Sequence, residues 1–115
     1  MNNQSQDPGI LPLTMFSSVA TLDQNLPDWT LAQIEASESP KPRSFEYYIR
    51  FDYPFSNVPL VHTGITGFDI DNGDTNRLRI YTENISSDGF NLVVQTWMYT
   101  RIYKVDVSWI ALGNA

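Results

Sequence analysis

The sequence predicts an all-β protein, specifically an antiparallel β-sandwich. Apolar and polar residues alternate along several short segments, which is the period of a strand with one buried face. Clusters of Gly, Asn, Asp, Pro and Ser separate these segments, and no stretch has a convincing helical period. Short strands joined by tight turns favour an antiparallel sandwich. A chain of 115 residues is long enough for one such domain.

Residues 89–111 are the most informative part of the sequence. They contain two β-type segments joined by a link that is rich in aromatic and polar residues. One face of each segment is typical of a core: Phe90, Leu92, Val94 and Thr96 in the first, and Tyr103, Val105, Val107, Trp109 and Ala111 in the second. The opposite faces still carry Val93, Ile102 and Ile110. We therefore expect a second sheet or another copy of the chain to cover those faces.

Earlier in the chain, residues 45–51, 58–69 and 78–85 are predicted as strands. The pair Asn72-Gly73 is a strong hairpin signal between the second and third of these. Residues 26–35 remain ambiguous. Asp28 could cap a short helix, or Trp29 and neighbouring residues could line one side of a strand.

Residues 1–26 are predicted to form an N-terminal arm, with the domain spanning residues 27–115. The arm is polar and is interrupted by Pro8, Gly9 and Pro12. One interpretation is a disordered tail. The other is an arm that packs on the domain or on a neighbouring molecule, because its apolar residues would otherwise be exposed. Those residues are Ile10, Leu11, Leu13, Met15 and Phe16.

The charge balance argues against two classes of partner. The net charge is −6, and nucleic acids and anionic membranes both attract basic proteins. No apolar run approaches the ~20 residues of a membrane span, so no membrane insertion is expected. The absence of cysteine excludes disulfides and thiolate chemistry. The amino terminus lacks signal-peptide features, so we expect a cytoplasmic protein, one exported by another route, or one shown without its leader.

Catalysis and metal binding find little support. His62 is the only histidine, and general-base catalysis or a zinc site needs further partners. Residues 69–74 contain three aspartates, but aligning Gly73 with the glycine of a calcium loop puts apolar residues at ligand positions. The Asn84-Ile85-Ser86 glycosylation sequence is interpreted as a turn after a strand. Glycoside hydrolysis would require two carboxylates at a defined separation, which the sequence does not indicate.

The sequence favours a binding site over a catalytic or metal site. Trp97, Tyr99, Arg101 and Tyr103 cluster in or beside the link, and Arg79 and the loop around Glu38 offer charged groups. Saccharides are held by charge-assisted hydrogen bonds to hydroxyls and by a flat aromatic against their C–H face. From the residues alone, the same aromatics are equally typical of a core or an interface.

A series of short motifs resembles the H-type lectin domain, the fold of snail agglutinin and of the carboxy-terminal domain of discoidins. The motifs are Ile49-Arg50-Phe51 with Pro54-Phe55, Pro59-Leu60-Val61, Leu78-Arg79-Ile80, Gly89-Phe90, Thr96-Trp97 with Thr100 and Tyr103, and Val107-Ser108-Trp109-Ile110-Ala111. The resemblance implies a six-stranded antiparallel β-sandwich that forms a homotrimer. It also implies binding of N-acetylgalactosamine- or galactose-type glycans between protomers, with no catalysis, cofactor or metal in the sugar site.

The resemblance also implies roles for individual residues. Arg79 corresponds to the arginine that bonds sugar hydroxyls, Trp97 to the aromatic wall and Tyr103 to the family's tyrosine. Met98 stands where the snail lectin has a histidine, and it cannot donate a hydrogen bond. Tyr99 is an additional aromatic beside it.

The early loop also departs from the family pattern. Pro40 stands where the family has an aspartate, and Glu38 or Ser39 is the expected substitute. The alternative function is a trimeric structural or adhesion module that binds no sugar. In either case, we expect a trimer to bury Val93, Ile102 and Ile110.

Overall fold

The computed structural model of the chain describes residues 12–34, 41–71 and 75–115. These residues contain six strands: β1 (Leu13–Asp23), β2 (Arg43–Arg50), β3 (Leu60–Ile70), β4 (Arg79–Glu83), β5 (Gly89–Thr96) and β6 (Ile102–Asn114). They form two three-stranded antiparallel sheets, with orders β1-β6-β3 and β2-β5-β4. The predicted six-stranded antiparallel sandwich is confirmed.

The central strands of the two sheets are β5 and β6, so residues 89–111 contribute the middle of both layers. Their predicted apolar faces point toward each other. Phe90, Leu92 and Val94 on β5 are fully buried, as are Val105 and Val107 on β6. Each inner face is buried because it packs against the other sheet in one shared core.

The N-terminal segment belongs to the sandwich from Leu13 onward. Strand β1 pairs with β6 from Leu13, opposite Asn114, to Asp23, opposite Lys104. Its inward residues Phe16, Ala20 and Leu22 pack against the core. The predicted boundary between residues 26 and 27 therefore lies inside the folded unit. Local sequence does not reveal β1, because its pairing partner lies about ninety residues away in the chain. Residues 1–11 lie outside the described part of the chain.

Residues 24–34 form turns, so neither the helix nor the strand considered for this segment is present. Asp28 has a φ of 68°, a left-handed conformation that is incompatible with capping a helix here. The turns instead direct Trp29 and Leu31 into the core. The Trp29 indole N–H donates to the Ile102 carbonyl at 2.9 Å, and the Ile102 N–H donates to the Leu31 carbonyl at 2.8 Å.

Two of the three apolar residues expected to need a partner are covered within the chain. Val93 is 1% exposed, because β2 and β4 flank it with Glu46 and Tyr81 directly opposite. Ile102 is 0% exposed beneath the turn that carries Trp29. Only Ile110, at 42% exposure, remains on the surface. The expectation that a trimer would bury all three is therefore wrong for Val93 and Ile102.

The connection from β3 to β4 crosses from one sheet to the other. Asn72-Gly73 therefore does not close a two-stranded hairpin within one sheet, and residues 72–74 themselves lie outside the described part. The hairpin within a sheet is β4–β5. In its turn Asn84 has a φ of 54°, and the Ser86 hydroxyl accepts a hydrogen bond from the Asp88 N–H. This agrees with the interpretation of residues 84–86 as a turn.

Candidate functional site

Five of the predicted site residues lie at one end of the sandwich, where β5 ends and β4 and β6 begin: Arg79, Trp97, Met98, Tyr99 and Tyr103. Residues 97–101 join β5 to β6 and are called the β5–β6 link below. Because β5 and β6 lie in different sheets, this link crosses the end of the sandwich. It brings the Trp97 side chain beside Arg79, the first residue of β4.

Arg79 and Trp97 are in direct contact. The guanidinium carbon of Arg79 lies 5.5 Å from the centre of the Trp97 ring, within the range of a cation–π interaction. The β4–β5 register explains the contact. Arg79 is opposite Gln95, and Trp97 lies two residues further along on the same side of the strand. Arg79 is exposed and Trp97 is half-buried, so the pair faces solvent.

Two buried threonines fix the link relative to β4. The Thr96 hydroxyl donates to the Arg77 carbonyl at 2.5 Å, and the Thr100 hydroxyl donates to the Thr75 carbonyl at 2.8 Å. The Thr100 hydroxyl also accepts from the Arg77 N–H at 3.1 Å. These bonds hold both ends of the link to residues 75–77, which lead directly into Arg79. The Arg79–Trp97 geometry therefore depends on buried hydrogen bonds as well as on strand pairing.

The middle of the link projects outward. Met98 is 40% exposed and Tyr99 is 53% exposed. Met98 has a φ of 57°, an unfavourable conformation for a residue with a side chain. Arg101, at the end of the link, pairs with Asp71 at 3.3 Å, and the Asp71 N–H donates to the Arg101 carbonyl at 3.0 Å. The link thus presents two large exposed side chains on a firmly anchored backbone.

The other predicted site residues are not joined to the Arg79–Trp97 pair by observed contacts. Tyr103 is half-buried at the start of β6, and its carbonyl accepts a hydrogen bond from the Gln24 N–H at 3.0 Å. Among the described residues, its side chain makes neither a hydrogen bond nor a ring contact. Glu38 and Ser39, proposed in place of the family's aspartate, lie outside the described residues, as does Pro40.

Sequence reasoning did not assign a role to three residues that shape this end of the sandwich. Thr96 is predicted as part of a core face and of a motif, and Thr100 as part of a motif, whereas no sequence feature singles out Arg43. A polar residue at the end of an otherwise apolar strand face can indicate a buried hydrogen bond. Thr96 continues the face of Phe90, Leu92 and Val94 and is equally buried, which requires a partner for its hydroxyl.

The arrangement is suited to binding. In residues 12–34, 41–71 and 75–115, no group of three or more His, Cys, Asp or Glu side chains is placed to hold a metal ion. His62 is exposed on β3, opposite Ile110 and away from the β5–β6 link.

The described part of the chain also contains no helix that is long and apolar enough to span a membrane. The described residues thus form a small two-sheet β-sandwich that presents a solvent-facing arginine against an indole.

Comparison with known proteins identifies the kind of module. Residues 46–112 match the H-type lectin domain. The match covers more than half of the chain, which belongs to the H-type lectin domain family and has a lectin-type, carbohydrate-binding fold. The resemblance drawn from the motifs is thereby confirmed. The matched family is a family of lectin domains, which are binding domains.

Individual relatives match this chain over only part of their own length. A protein of Fuscovulum blasticum, described as ATP synthase subunits region ORF 7, is 37% identical over 73 residues, which is 64% of this chain and 64% of that protein. Two structures of discoidin II from Dictyostelium discoideum match with TM-scores of 0.71 and 0.72 at 23% identity. Each comparison covers 90% of this chain and 38% of the discoidin II chain. This chain therefore spans less than two thirds of each of these relatives.

Proposed function

We propose that this chain is a lectin that binds glycans of the N-acetylgalactosamine or galactose type, without catalysis and without a metal ion in the sugar site. The sugar sites lie at the interfaces of a homotrimer. Arg79 and Trp97 form the centre of each site, with Tyr103, Met98 and Tyr99 around it. Glu38 and Ser39 are proposed to contribute from the preceding loop.

The contact between Arg79 and Trp97 carries this proposal. A guanidinium offers several N–H donors in a planar fork, which suits two adjacent sugar hydroxyls. The indole provides a flat apolar surface for the C–H groups on one side of a pyranose ring. The cation–π contact holds the guanidinium beside the ring before any ligand arrives. A preorganised pair binds more tightly, because less side-chain freedom is lost on binding.

The exposed Met98 and Tyr99 side chains support a site between protomers. Both are large, mostly apolar and exposed, and they directly follow Trp97 in the chain. A neighbouring protomer that covered them would also enclose a sugar held by Arg79. Met98 cannot supply the hydrogen bond that a histidine would, so we expect the preference among galacto-sugars to differ from that of the snail lectin.

A second candidate function is a trimeric structural or adhesion module that binds no sugar. The observation that favours it is an apolar outer face on the β1-β6-β3 sheet, which is not the sheet that carries Arg79. That face consists of Leu13, Met15, Val19, Leu60, Ile110 and Leu112. Exposed apolar patches of this kind mark protein–protein contacts.

The test combines a glycan array with light scattering on the full chain. The lectin proposal expects array signal confined to glycans with terminal N-acetylgalactosamine or galactose, together with the mass of a trimer. A trimer with no array signal would support the structural module instead. A monomer that binds no glycan would contradict both.

One variant separates the two candidates further. Ile110→Lys places a charge in the apolar outer face, far from Arg79 in the fold. If that face holds the assembly together, the variant becomes monomeric. Tyr53→Lys is the matched control, because it replaces a large exposed side chain by a charge in the connection between β2 and β3, outside that face. We expect that control to retain the wild-type mass.

A further inference from the structure

We infer that Arg43 is a positioning residue for the Arg79–Trp97 site. It holds the β5–β6 link in its observed conformation and ties that link to the turn at residues 31–33, without contacting the ligand itself. The inference rests on the proposed function, since it concerns how that sugar site keeps its shape. Arg43 belongs to β2 and Arg79 to β4, so the affinity of the site depends partly on a side chain from another strand.

The contacts of Arg43 carry this inference. One guanidinium nitrogen, Nη2, donates to the carbonyls of Met98 at 2.9 Å and Thr100 at 2.8 Å. The other, Nη1, donates to the carbonyls of Leu31 at 3.2 Å and Gln33 at 2.7 Å. Each nitrogen therefore serves one loop. The guanidinium bridges two segments that are more than sixty residues apart in the chain and that no strand pairing connects.

Within the described part of the chain, the charge of Arg43 is directed to these four carbonyls. Among the described residues it has no carboxylate partner, and its observed acceptors are four backbone oxygens. Partial burial lowers the pKa of Arg43, and the nearby positive charge of Arg101 lowers it further. An arginine nevertheless stays protonated in proteins, so the bridge persists at every working pH. Lysine has fewer donors and no planar fork, so it cannot reproduce two pairs of bonds in two directions.

The conformation of Met98 shows what the bridge accomplishes. A φ of 57° is strained for a residue that has a Cβ. Such conformations persist only where surrounding contacts hold them in place. Arg43 binds the carbonyl of Met98 itself and that of Thr100, two residues later. Thr96 and Thr100 hold the link from the β4 side, through residues 75–77. Arg43 holds it from the opposite side, so Trp97 is carried on a backbone fixed from both directions.

The experiment compares Arg43→Lys and Arg43→Met with Arg50→Lys in the full chain. Arg50 is the matched control, because it is the exposed last residue of the same strand, whereas Arg43 is the first. Calorimetry measures the dissociation constant for N-acetylgalactosamine at a temperature where circular dichroism shows every variant folded. In parallel, methionine ¹³C-methyl spectra report the environment of Met98. The Met15 methyl, on the outer face of β1, is an internal reference, and Met98→Leu assigns the signal.

We expect both Arg43 variants to bind N-acetylgalactosamine about tenfold more weakly than the wild-type chain, because hydrogen bonds to charged groups are lost from the link. The Met98 methyl signal should shift or broaden in both, while the Met15 signal stays in place. Arg50→Lys should change neither quantity. Retained affinity with an unmoved Met98 signal in Arg43→Lys would overturn the inference, and so would equal displacement of the Met15 and Met98 signals. If the wild-type chain binds no saccharide, the proposed function fails, and the Met98 signal alone decides whether Arg43 positions the link.

Discussion

The guanidinium carbon of Arg79 lies 5.5 Å from the centre of the Trp97 ring, although one residue begins an edge strand and the other follows the central strand of the same sheet. The contact combines a donor for hydroxyls with an aromatic surface in one exposed place. The start of β4 and the β5–β6 link carry this contact. They are held in place by the β4–β5 register, by the buried Thr96 and Thr100, and by Arg43.

Replacement of Arg79 should remove saccharide binding without unfolding the domain. Arg79→Ala deletes the donors proposed for sugar hydroxyls, so no measurable affinity for galactose or N-acetylgalactosamine is expected by calorimetry. The stability cost should stay within about 1 kcal/mol, because an exposed cation–π contact is worth no more than that. Arg50→Ala serves as the control and should bind like the wild-type chain. Full affinity in Arg79→Ala would remove this arginine from the site.

Introducing histidine at the centre of the link should strengthen binding. Met98→His restores a ring N–H at the position where the snail lectin has a histidine, and histidine tolerates the positive φ of this residue better than most side chains do. We expect a several-fold lower dissociation constant for N-acetylgalactosamine and an unchanged melting temperature. Met98→Leu, which adds no donor, is the comparison. Equal affinities in the two variants would argue against a hydrogen-bonding role at this position.

Loss of the Thr100 hydroxyl should destabilise the domain. Thr100→Val preserves the side-chain shape but removes the acceptor of the Arg77 N–H and the donor to the Thr75 carbonyl. The expected loss in the free energy of unfolding is about 1–3 kcal/mol, measured by urea denaturation. Thr21→Val, at an exposed position on β1, should change it little. A stability equal to the wild type in Thr100→Val would show that the two bonds contribute little net energy.

Gly89 should not tolerate a side chain. A Cβ at this position would overlap the Ile49 carbonyl and come within 2.6 Å of the Tyr48 hydroxyl. Because Ile49 belongs to the adjacent strand, the backbone itself would have to move, and Gly89→Ala should cost about 1–3 kcal/mol. At Gly64 the nearest atom would be the Ser108 hydroxyl, at an ordinary 3.6 Å. Gly64→Ala should therefore melt close to the wild type, and similar losses in both variants would contradict the argument.

Local alternation predicted the core of the central strands well. The face of Phe90, Leu92 and Val94 and the face of Val105 and Val107 are buried as predicted, because a period of two decides which residues share a side. The burial of Val93 and Ile102 could not be read in this way. It depends on what lies beside them: two flanking strands for Val93, and the turn carrying Trp29 for Ile102.

The sequence predicted the residues of the candidate site better than the residues that hold them in place. Arg79 and Trp97 were assigned to one site by resemblance to a family, and the structure brings them into contact. The role of Arg43 could not be anticipated, since its four acceptors are backbone carbonyls from two distant segments. Strand β1 was missed for a similar reason: its pairing partner is the last strand of the chain. Long-range pairings of this kind leave no local pattern.

The central claim is that Trp97 and Arg79 together hold a saccharide. The most direct test is an NMR titration of the ¹⁵N-labelled chain with N-acetylgalactosamine, observing the indole N–H signals of its three tryptophans. We predict a saturable shift of the Trp97 signal, assigned with Trp97→Phe and absent in Arg79→Ala, while the buried Trp29 and Trp109 signals stay in place. A Trp97 signal that does not move as N-acetylgalactosamine is raised to saturation, or one that moves equally in Arg79→Ala, would contradict it.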